Sequence, residues 1–435
     1  MPSADKLIQE LKARNLCSQL TDEPALGAHL DSGSRSIYVG FDPTADSLTI
    51  GNLVPIMQLR HFQLAGHTPV VVMGGGTGLI GDPSGKDAER QLLDEAQVRA
   101  NVESQSRIFR AVLDFEGPNA AVIVNNADWL SELSYVDLLR DVGKHFSVNA
   151  MIQKDSVRTR LESREQGISY TEFSYMILQS YDYLHLHREH GVTAQGGGSD
   201  QWGNITMGID LIRKVFALES AERTHEAHGI VAPLVTKADG GKFGKSEAGA
   251  VWLTPERTSP YQFYQFWLNT SDADAINFLR IFTLIELEQI EKLERAHADA
   301  PQKRLAQTTL ADAVTAMVHS DKDRDIAISA SRALFTGEVA NLDARTIADA
   351  FADVPSSVHD LSDFEDDGVS IVDLLVSTGL AKSKRESREF LGNGAVSING
   401  LKFGPDGILR QDKLLHGTTA LIRRGKKAWH VTTWR

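Results

Sequence analysis

The first half of the chain alternates two kinds of apolar run. SIYVGF (36–41), TPVVVMG (68–74), AAVIVN (120–125) and the shorter GVTAQ (191–195) are brief, continuously apolar and rich in β-branched residues. Between them lie longer stretches with helical spacing, such as LVPIMQLRHFQLAG and YVDLLRDVGKHF. Strands apolar on both faces and separated by helices predict βαβ units and a parallel sheet. From about Ser259 to Thr336 the strand signals stop, and LNTSDADAINFLRIFTLIELEQIEKLERAHA predicts an α-helical domain. Asp353–Gly368, DVPSSVHDLSDFEDDG, is polar, acidic and without apolar spacing, which reads as a linker. The remainder, Val369–Arg435, returns to mixed α and β with Gly-rich turns.

A length of 435 residues agrees with several cores, since one domain usually takes about 100–200 residues. Apolar residues make up 42% and charged residues 24%, which excludes a wholly disordered, collagen-like or coiled-coil chain. Mean hydropathy is -0.22, and no apolar run approaches the roughly 20 residues of a membrane span. The start, MPSADKLIQELKARN, has no apolar signal core, so a cytoplasmic location is expected. The single cysteine, Cys17, excludes a disulfide framework and a cysteine zinc site. A net charge of -13 argues at first against a nucleic-acid partner. The charge is unevenly placed, however. Val369–Arg435 carries twelve Lys/Arg against five Asp/Glu, a net of +7, and leaves -20 on the rest. The sum hides one basic segment suited to phosphates.

Four stretches carry candidate chemistry. In GGGTGLIGDPSGK, Gly76, Gly78 and Gly81 match G-x-G-x-x-G after a strand. Pro83 forbids the helix that a dinucleotide fingerprint requires, so the run is a backbone-exposing loop at a strand's carboxyl end. In YTEFSYMILQSYDYLHLHRE, Tyr175, Gln179 and Asp182 stand at i, i+4 and i+7 on a helix that is apolar nearly all round. They form either a structural hydrogen-bond network or a ligand site. In GGGSDQWGN (196–204), Asp200 is either a helix cap or a carboxylate for a ribose. In KADGGKFGKSEAG (237–249), Lys242 and Lys245 sit among four glycines, as a loop that grips and releases polyphosphate would have them. His185, His187 and His190 resemble metal spacing, but their helical positions point to a solvated helix end, and no metal site is expected.

Taken together, these motifs resemble bacterial-type tyrosyl-tRNA synthetases, class I aminoacyl-tRNA synthetases, nearly end to end. Tyr38–Leu48 is similar to the family's first strand and loop, Thr49-Ile50-Gly51-Asn52 to its HIGH motif, and Lys242-Phe243-Gly244-Lys245-Ser246 to its KMSKS motif. The resemblance implies a Rossmann-like parallel-sheet catalytic domain over 1–236. It implies the lysine loop and an α-helical anticodon-binding domain over 237–336, an acidic linker over 337–368, and a small α+β RNA-binding domain over 369–435. The implied reaction joins L-tyrosine to ATP, taken with Mg2+, releasing pyrophosphate. The tyrosyl group then passes to the terminal adenosine of tRNA(Tyr). A homodimer with no tightly bound metal is implied.

By the same likeness, Tyr38 and Asp182 bind the substrate phenol, Tyr175, Gln179 and Asp82 its ammonium, and Gln201 lies near its carboxylate. Gly40, Asp42, Gly51, Asn52, Gly198, Asp200, Lys245 and Ser246 bind ATP. Lys86, Arg90 and Asn126 match mobile-loop or supporting positions. The nucleophile is an ionised carboxylate and needs no general base, so catalysis rests on positioning and charge stabilisation. Thr44, Thr49, Lys242 and Lys245 are therefore the catalytic candidates. Both histidines of the HIGH motif are replaced, by Thr49 and Asn52, and a hydroxyl cannot carry imidazolium charge to a phosphate. Lys382, Lys384, Arg385 and Arg388 form a basic helical face for RNA. Two other readings are a tryptophan-activating synthetase and a catalytically inactive RNA-binding relative.

Overall fold

A computed structural model describes residues 3–84, 93–162, 167–219, 225–241, 243–246, 249–339, 342–352, 354–364, 368–425 and 428–435. The main sheet is built from β1 (Gln19–Leu20), β2 (Ser36–Phe41), β3 (Thr68–Met73), β4 (Val122–Asn125), β5 (Val192–Gly198) and β6 (His228–Ala232). Strands β2 to β5 are the four apolar runs expected from the sequence. Their order is β1-β6-β5-β2-β3-β4, parallel throughout except where β1 runs against β6. From β2 the chain proceeds outward through β3 and β4, then returns to place β5 on the other flank of β2. The carboxyl ends of β2 and β5 therefore form a topological switch point, the crevice where open α/β sheets bind ligands.

Three helices fix the crevice walls. Leu53–Leu64 buries Leu53, Ile56, Met57, Leu59 and Phe62, and packs on β2, β3 and β5. Tyr170–His190 begins at Ser169, whose side chain accepts from Glu172 N–H, and ends at Gly191 with φ 62°. Such a left-handed stop costs glycine little. Trp202–Glu219 packs alongside it. The segment YVDLLRDVGKHF is not the continuous α-helix its spacing suggests. It breaks into Tyr135–Asp137, a π-turn over Leu138–Val142 and a 3₁₀ turn over Gly143–His145. Tyr135, Val136 and Leu139 are exposed, so no continuous buried stripe holds a longer helix. After the crevice, β7 (Lys245–Ser246) and β8 (Gly249–Ala250) form a small antiparallel ribbon.

Residues 260–336 are helical, as their periodicity predicts, but they do not form one domain. The chain divides into a unit of 1–257 with 270–318 and a unit of 258–269 with 319–435. In the first, helices Asp272–Phe282 and Leu305–Val318 pack against Leu53–Leu64 and Glu95–Val112 respectively. In the second, helices Pro260–Leu268, Asp321–Thr336 and Ala344–Ala350 pack together. The second unit also contains β9 (Ser356–His359), β10 (Val369–Ser370), β11 (Val396–Ile398), β12 (Leu401–Lys402), β13 (Ile408–Leu409), β14 (Thr419–Arg424) and β15 (Ala428–Trp434). A five-stranded sheet runs β12-β11-β14-β15-β9, while β10 pairs with β13. The expected linker is thus partly structural. Ile347 and Ala350 are buried, and β9 adds a parallel edge strand to β15. SSVH joins the sheet through its backbone, which leaves no apolar periodicity to read.

Candidate active site

The two halves of the crevice are held by different polar networks. On the helix Tyr170–His190, Asp182 is buried and accepts two hydrogen bonds. Trp129 Nε1 donates to Oδ1 at 2.8 Å and Asn126 Nδ2 to Oδ2 at 2.9 Å. Burial pushes its carboxyl up to about 7; the donors from Asn126 and Trp129 oppose this, and the charge of Asp42 adds to it. The Tyr38 hydroxyl, on β2, is also buried but has no hydrogen-bond partner among the described residues. Burial first, then the charge of Asp182, hold its pKa well above the usual phenol. A buried orphan hydroxyl costs about 1–3 kcal/mol, a cost removed if a ligand completes it.

Asn126 leads from this end to the next. Its Nδ2 also donates to Thr77 Oγ1 at 2.9 Å, and Thr77 Oγ1 donates to Asp42 Oδ1 at 2.8 Å. Asp42 Oδ2 accepts from the Tyr175 hydroxyl at 2.9 Å. Burial, then Asp42 and Asp82, push the Tyr175 phenol well above its usual range. A Cβ on Gly74 would lie 2.2 Å from Asp42 Oδ1 and 2.6 Å from Thr77 Oγ1. Glycine at the end of β3 is what lets Asp42 sit there. The run continues as a short 3₁₀ turn, Thr77–Leu79, and then Asp82-Pro83, with no α-helix opening among its described residues, in keeping with Pro83.

A second network surrounds Asp82. Its Oδ1 accepts from Ser84 N–H at 2.9 Å and its Oδ2 from Gln201 Nε2 at 2.8 Å. Gln179 Nε2 donates to Gln201 Oε1 at 3.3 Å, and Asn204 Nδ2 donates to Gln179 Oε1 at 2.8 Å. Carboxylates and amide oxygens here make an acceptor-rich pocket suited to an ammonium group. Lys86 and Arg90 lie outside the described residues.

On the far side of the switch, Gly40 is exposed, and a Cβ there would meet no atom within 4 Å. Thr44 is exposed and its N–H donates to Asp42 O at 2.9 Å. Asp200 follows β5 in the turn Ser199–Gln201, and a Cβ on Gly198 would approach its Oδ1 to 2.6 Å. Thr49-Ile50-Gly51-Asn52 turns into the helix Leu53–Leu64, with Gly51 exposed. Lys242 lies outside the described residues. Lys245 and Ser246 are placed by their backbone in β7. A backbone ladder ties this loop to the turn: Val251 N–H donates to Gly244 O at 3.0 Å, and Ile50 N–H to Val251 O at 3.1 Å. Phe243 stacks near Phe282 at 5.2 Å between centroids, a hydrophobic anchor for the loop's base.

The basic face of the tail is partly as expected. Lys382, Lys384, Arg385 and Arg388 are all exposed. Lys382 precedes the helix Lys384–Gly392 instead of lying on it, and Lys384 Nζ is paired with Asp373 at 2.6 Å. His185 stacks on Trp129 at 4.5 Å, and His187 Nδ1 meets Val192 O at 2.9 Å, both packing roles. Spacing had not nominated Thr77, Trp129 or Asn204. Thr77 and Asn204 lie inside motifs already singled out. Trp129 carries no local signal; only the need of a buried carboxylate for donors points to such a residue.

Comparison with known proteins identifies the family. The family model for class I tRNA synthetases (W and Y) matches residues 31–336. The fold is that of a class I aminoacyl-tRNA synthetase. The model of the tyrosine–tRNA ligase SYY-like C-terminal domain matches 346–432. Tyrosine–tRNA ligase of Bacillus caldotenax is 50% identical over 98% of this chain and 99% of its own. That of Roseiflexus castenholzii is 49% identical over 98% of each. The structure of a C-terminally truncated Coccidioides posadasii mitochondrial tyrosyl-tRNA synthetase aligns at TM-score 0.66 and 29% identity, covering 75% of this chain and 94% of that one. The chain belongs to the tyrosine–tRNA ligase family.

Proposed function

We propose that the β2/β5 crevice seats L-tyrosine with its phenol between Tyr38 and Asp182, and its ammonium against Tyr175, Gln179 and Asp82. The observation that carries this reading is the buried Tyr38 hydroxyl, without a hydrogen-bond partner among the described residues and near enough to Asp182 to feel its charge. A phenol satisfies both, because its O–H donates to Asp182 and its oxygen accepts from Tyr38. An indole has an N–H to donate and no acceptor for Tyr38, which disfavours tryptophan.

ATP, taken as its magnesium complex, lies over Gly40, Asp42, Gly198 and Asp200, with Thr44, Gly51 and Asn52 at its phosphate and ribose side. The tyrosine carboxylate attacks the α-phosphorus in line, the bond to the pyrophosphate oxygen breaks, and pyrophosphate leaves. Lys242, Lys245 and Ser246 stabilise the charge that develops on the phosphates. The resulting adenylate passes its tyrosyl group to the terminal ribose of tRNA(Tyr). Residues 259–336 serve the anticodon, and Lys382, Arg385 and Arg388 bind phosphates of the RNA. Exposed Tyr135, Val136, Leu139, Val148, Leu161 and Tyr170 support pairing with a second copy. No helix among the described residues is long and apolar enough to cross a membrane, and a cytoplasmic location fits the reaction.

Amino-acid-dependent ATP–pyrophosphate exchange with the twenty amino acids in turn tests the proposal. Exchange with tyrosine alone is expected. Exchange with tryptophan instead, or none at all, would overturn it.

A further inference from the structure

The Thr49–Asn52 turn departs from the histidines of its class, and its hydrogen bonds show what stands in their place. Thr49 N–H donates to Asn52 Oδ1 at 3.0 Å, and Thr49 Oγ1 donates to the same oxygen at 3.0 Å. A backbone N–H can only donate, so the atom it meets must be the amide oxygen. The orientation of the Asn52 amide is therefore fixed by chemistry. With Oδ1 engaged twice from Thr49, the Nδ2 end is turned away from this pair. Among the described residues no protein acceptor meets it. Asn52 stands at the entry to the helix Leu53–Leu64, beside the switch point. Thr49 itself is held from its other side, where its backbone bridges to Trp252 in the segment that follows the lysine loop.

We infer that Thr49 is a positioning residue and not a catalytic one: it locks the Asn52 amide so that Nδ2 donates to an oxygen of ATP. This rests on the proposed nucleotide site and assigns the roles within it differently from the sequence expectation, which placed Thr49 on the phosphates. Its hydroxyl hydrogen is already committed to Asn52, and a hydroxyl has only one hydrogen to give. The lock keeps the amide from flipping, a preorganised donor in place of a charged imidazolium. The positive charge lost from the turn leaves charge stabilisation to the lysine loop laddered to it.

A double-mutant cycle in pre-steady-state adenylate formation tests this. Thr49→Val keeps shape and backbone N–H but removes the hydroxyl donor. It should slow adenylate formation or raise KM for ATP by about fivefold, the worth of one ordinary hydrogen bond, with tyrosine affinity unchanged. Thr49→Ser should restore the rate. In an Asn52→Ala background, Thr49→Val should cost nothing further, since there is no amide left to hold. Equal losses in both backgrounds would mean that Thr49 acts on ATP directly and would overturn the inference. So would an Asn52→Ala variant as fast as the parent. A wild-type protein without tyrosine-dependent exchange would instead overturn the tyrosine-activation reading, which keeps the two failures apart.

Discussion

Trp129→Phe isolates one of the two donors that favour the ionised form of Asp182 against its burial. Phenylalanine keeps an aromatic ring under His185, which stacks on Trp129 at 4.5 Å, while deleting only the 2.8 Å hydrogen bond to Oδ1. A hydrogen bond to a charged group is worth about 1.5–3 kcal/mol, equivalent to about one to two pKa units. Asp182 already stands at about 7. Loss of the Trp129 donor therefore raises it to about 8–9. The phenol of tyrosine donates best to the ionised carboxylate, so kcat/KM for tyrosine should rise with pH through this value in the free enzyme. In the parent half of the molecules are ionised near pH 7, and in the variant roughly one-tenth to one-hundredth are. The expected loss is roughly 5- to 50-fold at neutral pH, and it should shrink steadily toward pH 9. The assay is tyrosine-dependent pyrophosphate exchange from pH 6 to 10, with heavy-atom-neutral buffers at constant ionic strength. A variant that loses activity equally at every pH would refute the reasoning, because the indole N–H would then be packing the pocket without tuning its charge.

The same group makes a prediction about stability. Its folded pKa of about 7 lies above the unfolded value near 3.9, so between those values the folded chain binds more protons, and stability falls as pH rises. Denaturant unfolding of the ligand-free protein should show that loss, up to about 4 kcal/mol in this ideal limit, and Asp182→Asn should flatten it. Arg160 and Glu172 form a buried bidentate pair, at 2.9 and 2.8 Å, under the first turn of the helix that carries Tyr175. Arg160→Met should cost about 3–5 kcal/mol by leaving Glu172 buried and unpaired, and Glu172→Met added to it should recover most of the loss in thermal unfolding. Replacing Lys382, Arg385 and Arg388 with alanine should leave pyrophosphate exchange intact, weaken tRNA binding and lower its salt slope by up to about 3. An unchanged slope would remove these three residues from the RNA interface.

How much of this was legible in the sequence follows from where each signal is stored. Strands β2 and β3 were readable because a parallel sheet buries both faces, so each carries a continuous apolar run, whereas the half-exposed edge strand β4 was readable from its β-branched residues. β6 is buried along its whole length but follows a polar stretch, and only its last three residues are apolar in a row. The edge strand β9 was hidden for the opposite reason, since it gives the sheet its backbone and keeps polar side chains. Asp182 was legible as an anomaly, a carboxylate on a helix apolar nearly all round. Its donors were not, because Trp129 and Asn126 reach it from more than fifty residues away. Thr49 shows the limit from another side. Residue type suggested a weak phosphate ligand, whereas the turn spends its hydroxyl on Asn52. A motif position names a place in space; which atom there faces the substrate depends on hydrogen bonds that the motif does not contain. On the role inferred for Thr49, the replacement of an imidazole by a hydroxyl is a change of role, from touching the nucleotide to aiming the residue proposed to do so.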